Sequence, residues 1–247
     1  MEKEVRIPTS QRKFIYGKLR GSLKQPLVIF VHGLGAWMEM HLYYNGSRYL
    51  EKHGFASFRF NLYGYEKDAR KLGECTLKTH ALDLDTVIEY FRKKGVKNIF
   101  LVGHSYGGPT ILFSKKKDFD GVVFWDASYG DPLSFENVKY NKELDAFIAV
   151  WNFGIVLNKK MVQEGKTLKQ KEEQLIQEIR VPIKIIVAGK GLLVTGGKEY
   201  YQLANEPKEL AIVQGADHIF AKGDTLEVLL KETLSWLQRY RRYRSLQ

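Results

Sequence analysis

The stretch Asn98-Ile99-Phe100-Leu101-Val102-Gly103-His104-Ser105-Tyr106-Gly107-Gly108-Pro109 governs the reading of the whole chain. Its first half, up to Val102, is a short apolar run of the kind a buried strand uses. At its other end, Pro109-Thr110-Ile111-Leu112-Phe113-Ser114 suits a helix start, because proline in the first turn lacks only an N–H that would be unpaired there. Between the two lies Gly103-His104-Ser105-Tyr106-Gly107, a G-x-S-x-G pattern. A strand, a sharp turn and a helix in this order hold a serine in a strained backbone conformation with its hydroxyl above the sheet. The flanking glycines let neighbouring backbone approach. The Tyr106 N–H, at the helix start, then faces an oxyanion forming near that hydroxyl. Ser105 is the candidate nucleophile.

The 247 residues are within what one α/β domain fills, and 44% are hydrophobic, enough for a large core. No apolar run approaches a bilayer span, and no signal-peptide pattern comes after the charged start Met1-Glu2-Lys3-Glu4. The single cysteine, Cys75, permits no internal disulfide, so a cytoplasmic protein is the expectation. A net charge of +11 raises the possibility of a nucleic-acid or anionic-membrane partner. The basic residues are spread along the chain, however, apart from Lys115-Lys116-Lys117 and the tail Arg239-Tyr240-Arg241-Arg242-Tyr243-Arg244, and no nucleic-acid-binding signature accompanies them. No nucleic-acid partner is expected. Neither zinc-ligand spacing nor a phosphate-binding or dinucleotide loop is present, so no cofactor is expected either.

Along the chain, Val5 to Pro8 and Phe14 to Leu19 read as two short strands, and Pro26 to Val31 as a buried one running into the Gly-rich loop His32-Gly33-Leu34-Gly35-Ala36-Trp37. Met40 to His53 reads as a helix, Phe55 to Phe60 as a strand, and Thr79 to Lys94 as a helix with Leu84, Val87, Ile88 and Phe91 on one face. After the Ser105 turn, Gly121 to Trp125 is a strand ending at Asp126. Ile183 to Ala188 and Glu209 to Gln214 are later strands, with a short helix at Gly197 to Ala204 between them and a last helix from Thr225 to Tyr240. Repeated strand-helix units predict a mostly parallel sheet of about eight strands with helices on both faces. Ligands bind such sheets beyond the carboxyl ends of the strands, where His32, Ser105, Asp126 and His218 all fall.

The alternation breaks over residues 127–182. Leu144, Phe147, Ile148 and Trp151 fit one helical face, and Met161 to Ile179 reads as helical. A crossover needs only about a dozen residues, so this stretch is expected to be a small helical cap inserted in a single domain spanning 1–247. Phe147 and Trp151 either line an acyl or aryl pocket or form the cap's own small core; with Trp37 they are the substrate-binding candidates.

Three motifs stand in one order: His32-Gly33-Leu34-Gly35 after an early strand, the serine turn, and Gly215-Ala216-Asp217-His218 before the last helix. Together they resemble the α/β-hydrolases over nearly the whole chain, and the short cap and the Gly-Ala-Asp-His ending are similar to the cinnamoyl/feruloyl esterases and monoacylglycerol-lipase-like enzymes. The resemblance implies an α/β-hydrolase fold, ester hydrolysis without a cofactor, an oxyanion hole from the Leu34 and Tyr106 N–H groups, and His218 as base. The chemistry agrees. A serine hydroxyl needs a neighbouring base, and an imidazole ordinarily titrates at about 6.5. Of the six histidines, His218 is the one on a late loop after the last strand.

The pattern departs from the family at the third residue. The family carries an aspartate after the strand that here ends at Ala188, but this chain reads Gly189-Lys190-Gly191-Leu192-Leu193-Val194-Thr195-Gly196-Gly197. Asp217 adjoins His218 and is badly placed to reach round to its neighbour's ring. Asp126, at the end of the preceding strand, is the substitute expected to orient His218, ahead of Asp131. The alternatives are an aspartate that merely caps a turn, leaving a slow Ser-His dyad, and a degenerate hydrolase fold used for binding.

Overall fold

Eleven strands and seven α-helices account for most of the described chain in this computed structural model, which describes residues 2–130, 133, 138–150 and 154–241. The strands are β1 (Glu2–Pro8), β2 (Phe14–Arg20), β3 (Leu27–Val31), β4 (Ala56–Phe60), β5 (Ile99–His104), β6 (Gly121–Trp125), β7 (Val138–Asn141), β8 (Ala146–Val150), β9 (Gly154–Leu157), β10 (Ile183–Ala188) and β11 (Lys208–Val213). The α-helices are α1 (His41–Lys52), α2 (Leu77–Lys93), α3 (Gly107–Leu112), α4 (Lys159–Lys166), α5 (Leu168–Gln177), α6 (Val194–Leu203) and α7 (Thr225–Tyr240).

Eight strands form one sheet in the order β1-β2-β4-β3-β5-β6-β10-β11. The pairs β1–β2 and β2–β4 are antiparallel, and every later neighbouring pair is parallel. Parallel pairing puts the carboxyl ends of β3, β5, β6, β10 and β11 on one edge. These strands, except the edge strand β11, are buried at every residue because helices cover both faces. On one face Leu84, Val87, Ile88 and Phe91 of α2 pack with Ile111 of α3, Ile176 of α5 and Tyr200 of α6. On the other, Leu42, Tyr43 and Leu50 of α1 pack with Leu229, Leu234, Trp236 and Leu237 of α7.

The stretch expected as a helical cap is partly strand. β7, β8 and β9 form a separate antiparallel sheet with Val138 opposite Ala149 and Phe147 opposite Leu157; α4 and α5 come next in the chain. Leu144, expected on a helical face, sits instead at the β7–β8 turn, 55% exposed, its N–H bound to Asn141 Oδ1 at 2.9 Å. Asp145 takes φ 46° beside it, a left-handed conformation that aspartate tolerates and a helix does not use. A five-residue apolar run fits either period, and pairing with β7 on one side and β9 on the other makes this one a strand. Ala149, Leu157, Met161, Val162 and Leu168 of this segment form a third apolar cluster with Cys75, Leu77 and Tyr106.

Candidate active site

The site starts from backbone that only certain residues can adopt. Ser105 has φ 53°, between β5 and α3. Its N–H donates to the Trp125 carbonyl at 3.2 Å, and its own carbonyl accepts from Gly108 N–H and Ser128 N–H, both at 3.0 Å. A Cβ on Gly107 would lie 2.1 Å from the Val31 carbonyl oxygen, so no side chain fits between the turn and β3. A Cβ on Gly33 would lie 2.9 Å from Ser105 Cβ and 3.3 Å from its Oγ. The serine side chain therefore lies directly over the Gly-rich loop at the end of β3. In that loop Ala36 N–H donates to the Gly33 carbonyl at 3.2 Å, and Gly35 takes φ 73°, as the third residue of a type II turn must. The turn's own hydrogen bond does not use the Leu34 N–H.

Asp126, directly after β6, also has a strained backbone, at φ 40°. It is fully buried. Its N–H donates to the Ile186 carbonyl at 2.7 Å, and its Oδ1 accepts from Ala188 N–H at 3.0 Å. Its Oδ2 lies 2.6 Å from His218 Nδ1. Since Asp126 is occupied as an acceptor, Nδ1 carries the proton and Nε2 keeps the free lone pair. Asp217 is engaged elsewhere: its Oδ1 accepts from Ala221 N–H at 2.9 Å. Phe220, two residues past His218, is also at positive φ, 50°. Such conformations cost on the order of 1–3 kcal/mol each and persist where the surroundings impose them.

The loop after β10, where the acid was expected from the resemblance, explains the substitution. A Cβ on Gly191 would lie 3.1 Å from Asp126 Oδ2. The space a side chain at 191 would enter is taken by the carboxylate arriving from β6.

Of the buried histidines, His32 and His104 lie beside the serine turn and stay neutral. His32 accepts Leu62 N–H on Nε2 at 3.0 Å and donates from Nδ1 to the Gly33 carbonyl at 2.8 Å; burial pushes its pKa down to about 4. His104, inside the turn, contacts the His218 carbonyl through Nε2 at 2.9 Å and the Tyr43 hydroxyl through Nδ1 at 3.0 Å. Burial foremost, and then the charge of a protonated His218, push His104 down to about 3. Tyr43 and His41, both on α1, touch this network, and no motif or spacing in the sequence marks either of them. Their one signal is that the helix starts only a few residues after the Gly-rich loop.

The described substrate-binding candidates differ in burial. Leu34, Tyr106 and Phe147 belong to the third apolar cluster, where Phe147 on β8 stands 5.4 Å from the Tyr140 ring. Trp37 is 52% exposed. Trp151 and Asp131 lie outside the described residues. Cys75 is buried, its thiol pushed up to about 12 chiefly by burial, which does not suit a nucleophile. Among the described residues no group of three or more histidine, cysteine or acidic side chains could hold a metal ion, and no helix is long and apolar enough to cross a membrane.

Residues 26–148 match the model of a family described as the alpha/beta hydrolase fold. No curated protein sequence matches the chain. Among solved structures, Est1E from Butyrivibrio proteoclasticus with ferulic acid bound is similar at a TM-score of 0.81 and 18% identity, over 96% of this chain and 98% of that one. An esterase domain from a Rhodothermus marinus protein matches at 0.76 and 18%, over 98% and 99% of the two chains. A Paleococcus ferrophilus monoacylglycerol lipase matches at 0.70 and 19%, over 92% and 99%.

Proposed function

From a chain that has the α/β-hydrolase fold, with Asp126 Oδ2 2.6 Å from His218 Nδ1 at the edge that carries Ser105, we propose a serine hydrolase acting on carboxylic esters of small molecules. The Asp126–His218 contact carries the reading. It supplies the one part of the machinery that the sequence lacks at the family position.

In this reading Asp126 holds His218 with Nδ1 protonated, so that Nε2 takes the Ser105 proton as Oγ attacks the ester carbonyl. The tetrahedral oxyanion is stabilised by the Leu34 and Tyr106 N–H groups, at the crown of a turn and at a helix start. His218 then returns the proton to the leaving alcohol. Water, activated by the same imidazole, attacks the acyl-serine and releases the acid. The apolar cluster shared by Leu34, Tyr106 and Phe147 favours an acyl or aryl group beside the oxyanion hole, and the feruloyl and monoacylglycerol relatives suit that preference. The reading as a degenerate binding fold rested on a missing acid, and the Asp126 contact weighs against it.

The test is hydrolysis of p-nitrophenyl butyrate by purified protein. Ser105→Ala removes turnover while the protein stays folded. Asp126→Asn leaves the imidazole in the wrong tautomer and costs on the order of 10³ to 10⁴ in turnover, as the equivalent loss does in a serine protease. Near wild-type rates in either variant would reject the mechanism.

A further inference from the structure

A chain of buried hydrogen bonds joins the two loops that flank Ser105. Gly33 N–H, in the loop after β3, donates to the Tyr43 hydroxyl at 3.3 Å. The same hydroxyl contacts His104 Nδ1 at 3.0 Å, and His104 Nε2 contacts the His218 carbonyl at 2.9 Å. The ends leave no choice about proton positions: an amide N–H can only donate and a carbonyl can only accept. His104 therefore carries its proton on Nε2, leaves Nδ1 bare, and receives the Tyr43 proton there. Tyr43 and His104 are both buried, so a broken link would leave polar groups without water to replace it.

Two observations extend this chain to the candidate machinery. The His104 and His218 rings lie 4.7 Å apart at 31°, so His104 forms the floor under the base. His41, two residues before Tyr43 on α1, donates from Nε2 to the Ile219 carbonyl at 2.8 Å. Helix α1 thus holds the loop 218–219 twice, directly through His41 and through Tyr43–His104, while Tyr43 also holds Gly33, over which the Ser105 side chain lies. A neutral His104 is required for this. A second proton on Nδ1 would confront the Tyr43 O–H and repel His218 when it becomes an imidazolium.

We infer that Tyr43 and His104 are positioning residues that lock the base loop and the oxyanion loop into one register around Ser105. The role rests on the ester-hydrolase reading above. It adds that the relative position of the two loops is set by α1 through an imidazole bonded at both nitrogens. Misplacement by about 1 Å costs about 10²-fold in rate, so the effect of the relay appears in turnover and not in ground-state affinity.

The test uses Tyr43→Phe, which keeps the buried ring and deletes only the hydroxyl, with His104→Gln and His104→Leu as a pair. The glutamine amide can still donate to the His218 carbonyl and leucine cannot. Active sites are titrated with diethyl p-nitrophenyl phosphate, and kcat per titrated site and KM are measured with p-nitrophenyl butyrate. The expected result is a kcat about 10- to 100-fold lower for Tyr43→Phe with KM within about two-fold, and a His104→Gln variant clearly faster than His104→Leu. In parallel, the downfield proton NMR signal of His218 Nδ1–H is monitored. It should exchange faster with water in Tyr43→Phe than in the wild type. Wild-type kcat per titrated site, or equal rates for glutamine and leucine, would overturn the inference. If the wild-type protein neither titrates nor hydrolyses the ester, the hydrolase reading fails instead. The NMR arm then decides the relay alone, and an unchanged exchange rate in Tyr43→Phe would refute it.

Discussion

Asp126 is strained, buried and saturated. Its φ of 40° lies in the left-handed region, and its two carboxylate oxygens are taken by Ala188 N–H and His218 Nδ1. The strain is held by bonds on either side of it: Trp125 O to Ser105 N–H, and Ser128 N–H to Ser105 O. Asp126 and Ser105 are thus pinned to each other through the backbone. One consequence concerns Gly191. Replacing it with aspartate, which restores an acid at the family's position, would set a second carboxylate against Asp126 Oδ2, 3.1 Å from the new Cβ. Two carboxylates sharing one site cannot both ionise comfortably. Gly191→Asp is expected to lower both the melting temperature and p-nitrophenyl ester turnover at pH 7. A faster enzyme would mean that His218 can swing to the family's usual partner.

Among the elements, α5 and α6 meet the loop after Asp126 around a buried carboxyl. Glu172 on α5 accepts Gly130 N–H on Oε2 at 2.7 Å, and its Oε1 lies 2.6 Å from the Tyr200 hydroxyl of α6. That hydroxyl is also 2.7 Å from the Ser128 carbonyl. One phenolic proton cannot serve two acceptors, so Glu172 is the protonated partner: it donates to Tyr200, which donates to Ser128. Burial, opposed only in part by these bonds, pushes its pKa up to about 8 from an ordinary 4.5. The folded state thus holds a proton that the unfolded chain has released over roughly pH 4.5 to 8, and stability falls as pH rises through that window. Glutamine reproduces the neutral acid, accepting from Gly130 and donating to Tyr200. Glu172→Gln should match the wild type in urea midpoint at pH 5 and exceed it at pH 9. Parallel midpoints at both pH values would show that the carboxyl carries no such proton.

For the whole molecule, the third apolar cluster decides whether the inserted segment unfolds with the rest. Leu157 of β9 is fully buried there among residues of the main body, including Tyr106 and Leu77. If the chain is one cooperative unit, Leu157→Ala shifts the entire urea transition by about 2–5 kcal/mol, with fluorescence and circular dichroism still coincident. Separate transitions for the two probes would mark the insertion as an independent unit. Over this same scale the sequence was legible wherever a pattern is local. The buried strands β3, β5, β6 and β10 showed as apolar runs, and α2 and α7 as periodic faces. The Ser105 turn was readable because its glycines and serine fall within five residues, although what excludes a side chain at Gly107 is the Val31 carbonyl of β3. His218 was readable because only one histidine comes after the last strand. Tertiary structure alone decided the rest. Ala146 to Val150 fits both periods, and pairing with β7 and β9 selected the strand. Asp126 and His218 stand 92 residues apart, and their contact exists because β6, β10 and β11 lie side by side and end on one edge. The Tyr43–His104 link likewise joins residues 61 apart. A hydrogen bond between distant segments leaves no period in either one, so local chemistry could nominate Ser105 and His218, while the order of strands in the sheet determined which carboxylate meets the imidazole.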